Sequence, residues 1–160
     1  MNGTFRPPFP ERLDISSFFA GRSQAWGMVI DRRGRALRRF IVDIEGSVSG
    51  SELVLDESFR FDDGSTDERV WTIDCAGRTV AGHAHDVVGT AHGQIEGPAL
   101  TWRYELMLPV GKRCFRVAFD DLMVMADHET LLSRAVIRKF GLRMAEVIIA
   151  FRRLPAASTP

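Results

Sequence analysis

Apolar and polar residues alternate along most of this 160-residue chain, in short runs separated by turns. Alternation with a period of two is typical of a β-strand that has one face in a core and the other in water. The clearest run covers residues 99–108, and residues 115–119 repeat it after a turn at 109–112. Glycines mark the turns at nearly even intervals: Gly34, Gly50, Gly64, Gly77, Gly97, Gly111 and Gly141. The pattern predicts an antiparallel β-meander.

The number of runs predicts that the meander closes. The predicted strands are 24–30, 35–45, 52–61, 69–75, 78–85, 99–108, 115–119, 122–126, 131–139 and 143–153. Nine or ten strands are more than a flat open sheet of this size would leave unclosed, so we predict an all-β, antiparallel up-and-down barrel. Residues 13–21 can form a short N-terminal helix capped by Asp14. Residues 131–151 could also be helical, but their β-branched residues favour a hairpin.

Composition limits the architecture and the partners. Hydrophobic residues make up 45% of the chain, enough for the core of one domain, which we place at 13–154 between an extended arm at 1–12 and a flexible tail at 155–160. Basic and acidic residues number 21 each, so no net charge attracts nucleic acid. The sequence has no run of about 18 apolar residues, so it predicts no transmembrane segment. The first twenty residues lack the apolar stretch of a secretory signal, and we therefore expect a cytoplasmic location.

Seven segments occur in an order that resembles a bacterial family, domain of unknown function 3833. They are AWGMVIDRRG at 25–34, LDESFRFDDG at 55–64, ERVW at 68–71, DVVGTAHG at 86–93, GPALTWRYEL at 97–106, FDD at 119–121 and RKFG at 138–141. The resemblance implies a lipocalin-like, calycin-type barrel with no established reaction. Many members look like membrane-anchored lipoproteins, whereas this chain has no lipidation cysteine near its start. It also departs from the family pattern at Pro98, Leu122 and Ser133, where Asn, Trp and Asn are expected.

Charged residues on apolar strand faces are the first candidates for a binding site. A charge inside a barrel must be paired, or must meet a ligand group or water. Glu57 and Arg69 lie on consecutive strands, so they could form a buried ion pair that fixes the register, or could anchor an amphipathic ligand such as a fatty acid. The full set of candidate ligand-binding residues is Glu57, Arg69, Trp71, Trp102, Tyr104, Asp121 and Arg134.

Two further groups of polar residues could carry chemistry. His83 and His85 are two apart in a predicted strand, where imidazoles can share a metal ion, but a solvated strand face is the better interpretation. Asp86 is expected to cap a turn at 87–89. The paired Asp120 and Asp121 point to opposite faces of a strand and cannot act together on one bond. We therefore assign no catalytic residue, no metal site and no cofactor.

Three functions are compatible with these patterns. The favoured one is a noncatalytic barrel that binds a small hydrophobic or amphipathic molecule, such as a fatty acid or lipid. The second is an enzyme on a lipocalin-like scaffold, an isomerase or lipid-modifying activity, that uses Glu57, Asp86 or the pair His83 and His85. The third is a structural or assembly partner with a filled core. A barrel by itself is compatible with all three.

Overall fold

Alternating apolar positions become strands in the computed structural model, which describes residues 7–156. In chain order the elements are a helix α1 (Ile15–Phe19) and strands β1 (Gly21–Asp31), β2 (Ala36–Ser49), β3 (Glu52–Phe61), β4 (Thr66–Asp74), β5 (Thr79–His83), β6 (Val87–Glu96), β7 (Ala99–Val110), β8 (Arg113–Asp127), β9 (Thr130–Lys139) and β10 (Leu142–Arg153). Each strand pairs antiparallel with its neighbours in sequence, and β1 pairs with β10, so the sheet closes. The predicted all-β up-and-down barrel is confirmed, with ten strands and a short N-terminal helix.

The helix α1 closes one end of the barrel. Its start is fixed by Asp14, whose carboxylate accepts a hydrogen bond from the backbone N–H of Ser17 at 3.1 Å, as is typical of an N-cap. Phe18 and Phe19 are buried on the inner side of the helix. The carbonyl group of Phe19 packs so closely on β2 at Gly46 that any side chain there would collide with it. A glycine in β2 therefore lets the helix seat on the rim.

The inward faces of the strands form one continuous apolar core. Five residues in five different strands are completely inaccessible to solvent: Ala25, Leu53, Val80, Ala91 and Leu131. Since these strands are spread around the whole wall, the core extends across the barrel. The polar side chains that point inward are consequently surrounded by hydrocarbon, where an unpaired charge is costly.

The wall is held unevenly by its backbone ladders. β7 and β8 pair at twelve successive positions, whereas β4 and β5 pair at three, from Thr72 with His83 to Asp74 with Ala81. β5 ends at His83, so the first half of β4 has no partner in β5. Residues 84–86 connect β5 to β6 beside this unpaired stretch. We refer to this junction, β4 with β5 and the link 84–86, as the β4–β5 seam.

Two segments of the wall differ from the sequence predictions. β6 occupies 87–96, where a turn at 87–89 was expected. Two of its inward positions, Ala91 and Gly93, are small, so the alternation signal was weak. At Gly93 the ring of Trp102 takes the place of a side chain. β8 is one strand where two were predicted, because Asp120 and Asp121 interrupt the apolar run without ending the ladder. The hairpin predicted over 131–153 is confirmed as β9 and β10.

The predicted arm and tail are only partly within the structure. Residues 1–6 of the arm and 157–160 of the tail lie outside the described residues. Between residues 7 and 156, no helix is long and apolar enough to cross a membrane.

Candidate functional site

A cavity of about 60 Å³ lies inside the barrel next to α1. The residues that line it are Ile15, Phe19, Leu55, Glu57, Trp71, Ile73, Val80, Leu100, Trp102, Met123 and Phe151. All of them are apolar or aromatic except Glu57. Trp71, Ile73 and Val80 come from β4 and β5, so the β4–β5 seam forms part of the cavity wall. Because one water needs about 10–15 Å³ of such space, the cavity has room for about four to six non-hydrogen atoms.

Glu57 supplies the carboxyl group that faces this cavity. It occupies an inward position of β3, and its register partner on β4 is Arg69. Within the described residues Glu57 makes no side-chain hydrogen bond or ion pair, because the Arg69 guanidinium donates to Asp86 instead. Burial raises the pKa of Glu57 to about 7, although the positive charge of Arg69 acts in the opposite direction. Near neutral pH, Glu57 is therefore present in both its protonated and its ionised form.

Arg69 and Asp86 form a bidentate ion pair across the β4–β5 seam. The Arg69 Nη2 lies 2.8 Å from Asp86 Oδ2, and Nε lies 3.1 Å from both carboxylate oxygens. Both side chains are largely buried, at 17% and 18% exposed. Two sequence predictions need correction here: the register neighbours Glu57 and Arg69 are not an ion pair, and Asp86 does not cap a turn at 87–89. The Arg69 guanidinium instead donates to the Asp86 carboxylate, which lies in the link 84–86.

Aromatic side chains form the other half of the site. The ring centroids of Trp71 and Trp102 are 5.6 Å apart, and that of Tyr104 is 5.3 Å from Trp71 in an edge-to-face arrangement. Gly82 makes room for this group, because a Cβ there would lie 2.8 Å from the Trp102 ring. Burial raises the pKa of the Tyr104 hydroxyl above its ordinary value, so that hydroxyl stays protonated. The aromatic group is thus rigidly packed and lies beside Glu57 and Arg69.

Asp121 is a second buried carboxyl group, further round the barrel on β8. It accepts a hydrogen bond of 2.6 Å from the Ser133 hydroxyl on β9. Burial raises the pKa of Asp121 to about 6. Its neighbour Asp120 points outward and pairs with Arg103 at 3.1 Å, so the two carboxylates lie on opposite faces as their spacing predicted. Ser133 stands where the family pattern expects Asn, and it supplies the hydroxyl that Asp121 needs.

A family model described as "Protein of unknown function (DUF3833)" matches residues 9–153, nearly the whole described chain. The chain belongs to the DUF3833 family. The resemblance found in the sequence is thereby confirmed, and the family description names no activity.

This DUF3833 barrel is similar in fold to a crystal structure of a protein with unknown function from the DUF3598 family, from Nostoc punctiforme PCC 73102. The TM-score is 0.64 at 12% sequence identity, and the match covers 94% of this chain and 53% of the other. The chain thus spans about half the length of that protein, and at this identity the likeness shows the fold alone. No curated protein matches the sequence.

Arg134, in contrast to the other candidates, lies on the outer face of the DUF3833 barrel and not in its interior. It points outward from β9, where it donates to the Glu146 carboxylate at 2.9 and 3.1 Å and its side chain is 57% exposed. It borders an apolar groove on the outer surface with Trp26 and Leu132. The inward positions of β9 include Leu131, Ser133 and Ala135. The prediction that Arg134 faces the interior is therefore wrong.

The histidines do not share a strand in this family member. β5 ends at His83, whose Nδ1 lies 3.1 Å from the Gly89 carbonyl oxygen, and His85 follows in the link 84–86. Both are exposed. Among residues 7–156, no group of three or more His, Cys, Asp or Glu side chains is arranged to hold a metal ion.

Sequence reasoning did not include two polar residues, Asp86 and Ser133, among the candidate ligand-binding residues. Asp86 was assigned to a local turn, and nothing in its neighbourhood along the chain indicates that it reaches Arg69, seventeen positions away. Ser133 could have been found, because the alternation of Leu131, Ser133 and Ala135 points all three inward. Six of the seven predicted site residues lie on the inner face of the barrel: Glu57, Arg69, Trp71, Trp102, Tyr104 and Asp121.

Proposed function

We propose that this chain is a noncatalytic barrel that binds one small, mainly apolar or amphipathic molecule in the cavity beside α1. The observation that carries the proposal is the cavity itself, whose wall is apolar except for the carboxyl group of Glu57. Binding sites for small molecules are commonly apolar concave spaces with a few polar groups that orient the ligand. The cavity has this composition.

Filling the cavity would also stabilise the barrel. Unfilled apolar space costs about 24 cal/mol per Å³ in protein cores, so this cavity costs roughly 1–2 kcal/mol. Neither Trp71 nor Trp102 can collapse into the space easily, since both rings are packed against other aromatic side chains. A ligand of matching size recovers the lost contacts without a rearrangement of the wall.

The size of the cavity favours a short molecule over a long fatty acid or lipid. Space for about four to six non-hydrogen atoms accommodates a short chain or a small ring. A long acyl chain would need α1 to move away or the β4–β5 seam to open. We therefore narrow the ligand class expected from the sequence to small molecules of the same amphipathic character.

Binding can be followed through the tryptophans of the cavity wall. Short alcohols, amines and acids would be titrated into the purified protein while tryptophan fluorescence is recorded, with native mass spectrometry used to detect any molecule retained from the cell. Saturable binding of at least one probe supports the proposal. If no probe binds and no molecule is retained, the proposal is overturned.

A matched pair of variants on β4 tests where the probe binds. Ile73→Phe adds bulk at a position that lines the cavity, whereas Val70→Phe places the same side chain on the outer surface, where Val70 is 45% exposed. We expect Ile73→Phe to weaken probe binding at least tenfold and Val70→Phe to leave it unchanged. Circular dichroism of both variants verifies that the barrel is folded. Equal effects of the two substitutions would place the probe outside the cavity.

A further inference from the structure

The interior of the barrel holds more acidic than basic groups near the cavity. Among residues 7–156, Glu57, Asp86 and Asp121 contribute three carboxyl groups, and Arg69 is the guanidinium that lies among them. Arg69 is already engaged by both oxygens of Asp86. Glu57, when ionised, is therefore a negative charge without a direct counter-charge, although Arg69 lies across from it on β4.

The aromatic walls of the same cavity complement a positive charge. The faces of Trp71 and Trp102 carry negative electrostatic potential, and cations bind over such faces with particular strength when water is excluded. Both indoles line the cavity together with Glu57. A carboxylate and two indoles around one small space form a typical recognition site for an ammonium group.

Resting on the proposed function, we propose that the bound molecule is a small organic cation, a protonated alkylamine. Its ammonium group donates hydrogen bonds to the Glu57 carboxylate beside the Trp71 and Trp102 rings, and its alkyl part contacts the apolar side chains of the cavity wall. An anionic ligand fits poorly, since its carboxylate would lie beside Glu57 and would have to displace Asp86 from a bidentate pair with Arg69.

The amine and a proton compete for Glu57. Burial raises the pKa of Glu57 to about 7, so a cation that binds to it must displace the proton that Glu57 carries at lower pH. The other charged groups that act on Glu57 are Arg69, Asp86 and Asp56, and the nearby Tyr104 hydroxyl stays protonated. Amine binding should therefore strengthen as pH rises from 6 to 8.

The test compares three probes with three carbon atoms each: propylammonium, 1-propanol and propionate. Each has four or five non-hydrogen atoms, so size does not distinguish them. Isothermal titration calorimetry and ligand-observed NMR at pH 8 measure the affinities of the three probes. We expect propylammonium to bind at least tenfold more tightly than 1-propanol, and propionate to bind most weakly.

Two variants of β3 identify the group responsible. Glu57→Gln keeps the shape of the side chain and removes its charge inside the barrel, whereas Asp56→Asn removes one charge from the outer surface at the adjacent position. Glu57→Gln should abolish the preference for propylammonium and retain 1-propanol binding, which also shows that the cavity is intact. Asp56→Asn should retain the preference.

The outcomes separate this inference from the proposed function. If 1-propanol binds as tightly as propylammonium, or propionate binds more tightly, the cation inference is overturned while the cavity remains a binding site. A preference for propylammonium that survives Glu57→Gln also overturns it. If none of the three probes binds, the proposed function itself is contradicted.

Discussion

The β7–β8 wall and the β4–β5 seam hold the same barrel together in different ways. β7 and β8 pair at twelve positions, and the ion pair between Arg103 and Asp120 on their outer surface is exposed. β4 and β5 pair at three positions, and the ion pair between Arg69 and Asp86 at the seam is largely buried. In the first region the backbone ladder closes the wall, and in the second a pair of side chains completes the closure.

The charged part of the candidate site lies at the region with the shorter ladder. Both regions line the cavity, with three residues from β4 and β5 and three from β7 and β8, namely Leu100, Trp102 and Met123. Glu57, however, faces the cavity from β3, next to β4. The ion pair at the seam, Arg69 with Asp86, is largely buried, whereas the pair on the long-ladder wall is exposed. Regions with few backbone hydrogen bonds also open more readily, as binding regions must.

The strongest test of this comparison removes each ion pair in turn. We expect Arg69→Met to lower the free energy of unfolding by about 3 kcal/mol, because the Asp86 carboxylate is left largely buried without a partner. Arg103→Met should lower it by less than about 1 kcal/mol, since that pair is exposed on a wall held by its ladder. Urea unfolding followed by tryptophan fluorescence measures both.

A double-mutant cycle controls for effects unrelated to the pair. If the ion pair closes the seam, Arg69→Met combined with Asp86→Asn should cost clearly less than the sum of the two single changes. Equal losses for Arg69→Met and Arg103→Met would contradict the distinction between the two regions.

Sequence alone predicted most of the barrel and the inner face of its site. A period of two fixes the direction of every side chain once the apolar face of a strand is recognised, so Glu57, Trp102 and Asp121 were assigned inward from their apolar neighbours. The same rule failed for Arg134. Its face of β9 also carries the apolar residues Leu132 and Val136, so it was mistaken for the inner face. Whether these residues bind a ligand stays a prediction.

The pairing of charges was harder to predict than their direction. Glu57 and Arg69 were expected to pair because they are register neighbours across a tight turn, and the register is as expected. The actual partner, Asp86, depends on where β5 ends, which is a property of the closed barrel. No local pattern of residues encodes that β4 and β5 pair at only three positions.

The two regions should also respond differently to pH. Folding raises the pKa of Glu57 from its ordinary 4.5 to about 7, so the folded protein holds a proton that the unfolded chain releases. Stability should therefore fall as pH rises from about 5 to 8, by about 2–3 kcal/mol for this group. Glu57→Gln should remove this part of the decline and be more stable than the unaltered protein at pH 8. Unfolding free energies of the variant and the unaltered protein at several pH values measure this decline.

Glu105 on β7 provides the control for the pH experiment. It points outward and pairs with Arg116 on β8, so Glu105→Gln removes one carboxyl group from the long-ladder wall. We expect that variant to keep the full decline between pH 5 and 8. Burial raises the pKa of Asp121 to about 6. The Glu57→Gln variant should therefore keep a smaller decline in its unfolding free energy, at lower pH. A Glu57→Gln protein with an unchanged pH dependence would show that Glu57 is not held in a low-dielectric site.

The smallest expected difference is local, and amide hydrogen exchange resolves it. Amides of β5 should exchange at least tenfold faster than those in the middle of β7 and β8, which corresponds to an opening free energy about 1.4 kcal/mol lower. Arg69→Met should increase this difference and Arg103→Met should not. If β5 is protected as well as β7, the length of the ladder does not set local stability here, and a ligand would have to enter past α1. Faster exchange confined to β5 and the link 84–86 would instead identify the seam as the segment of the wall that opens most readily.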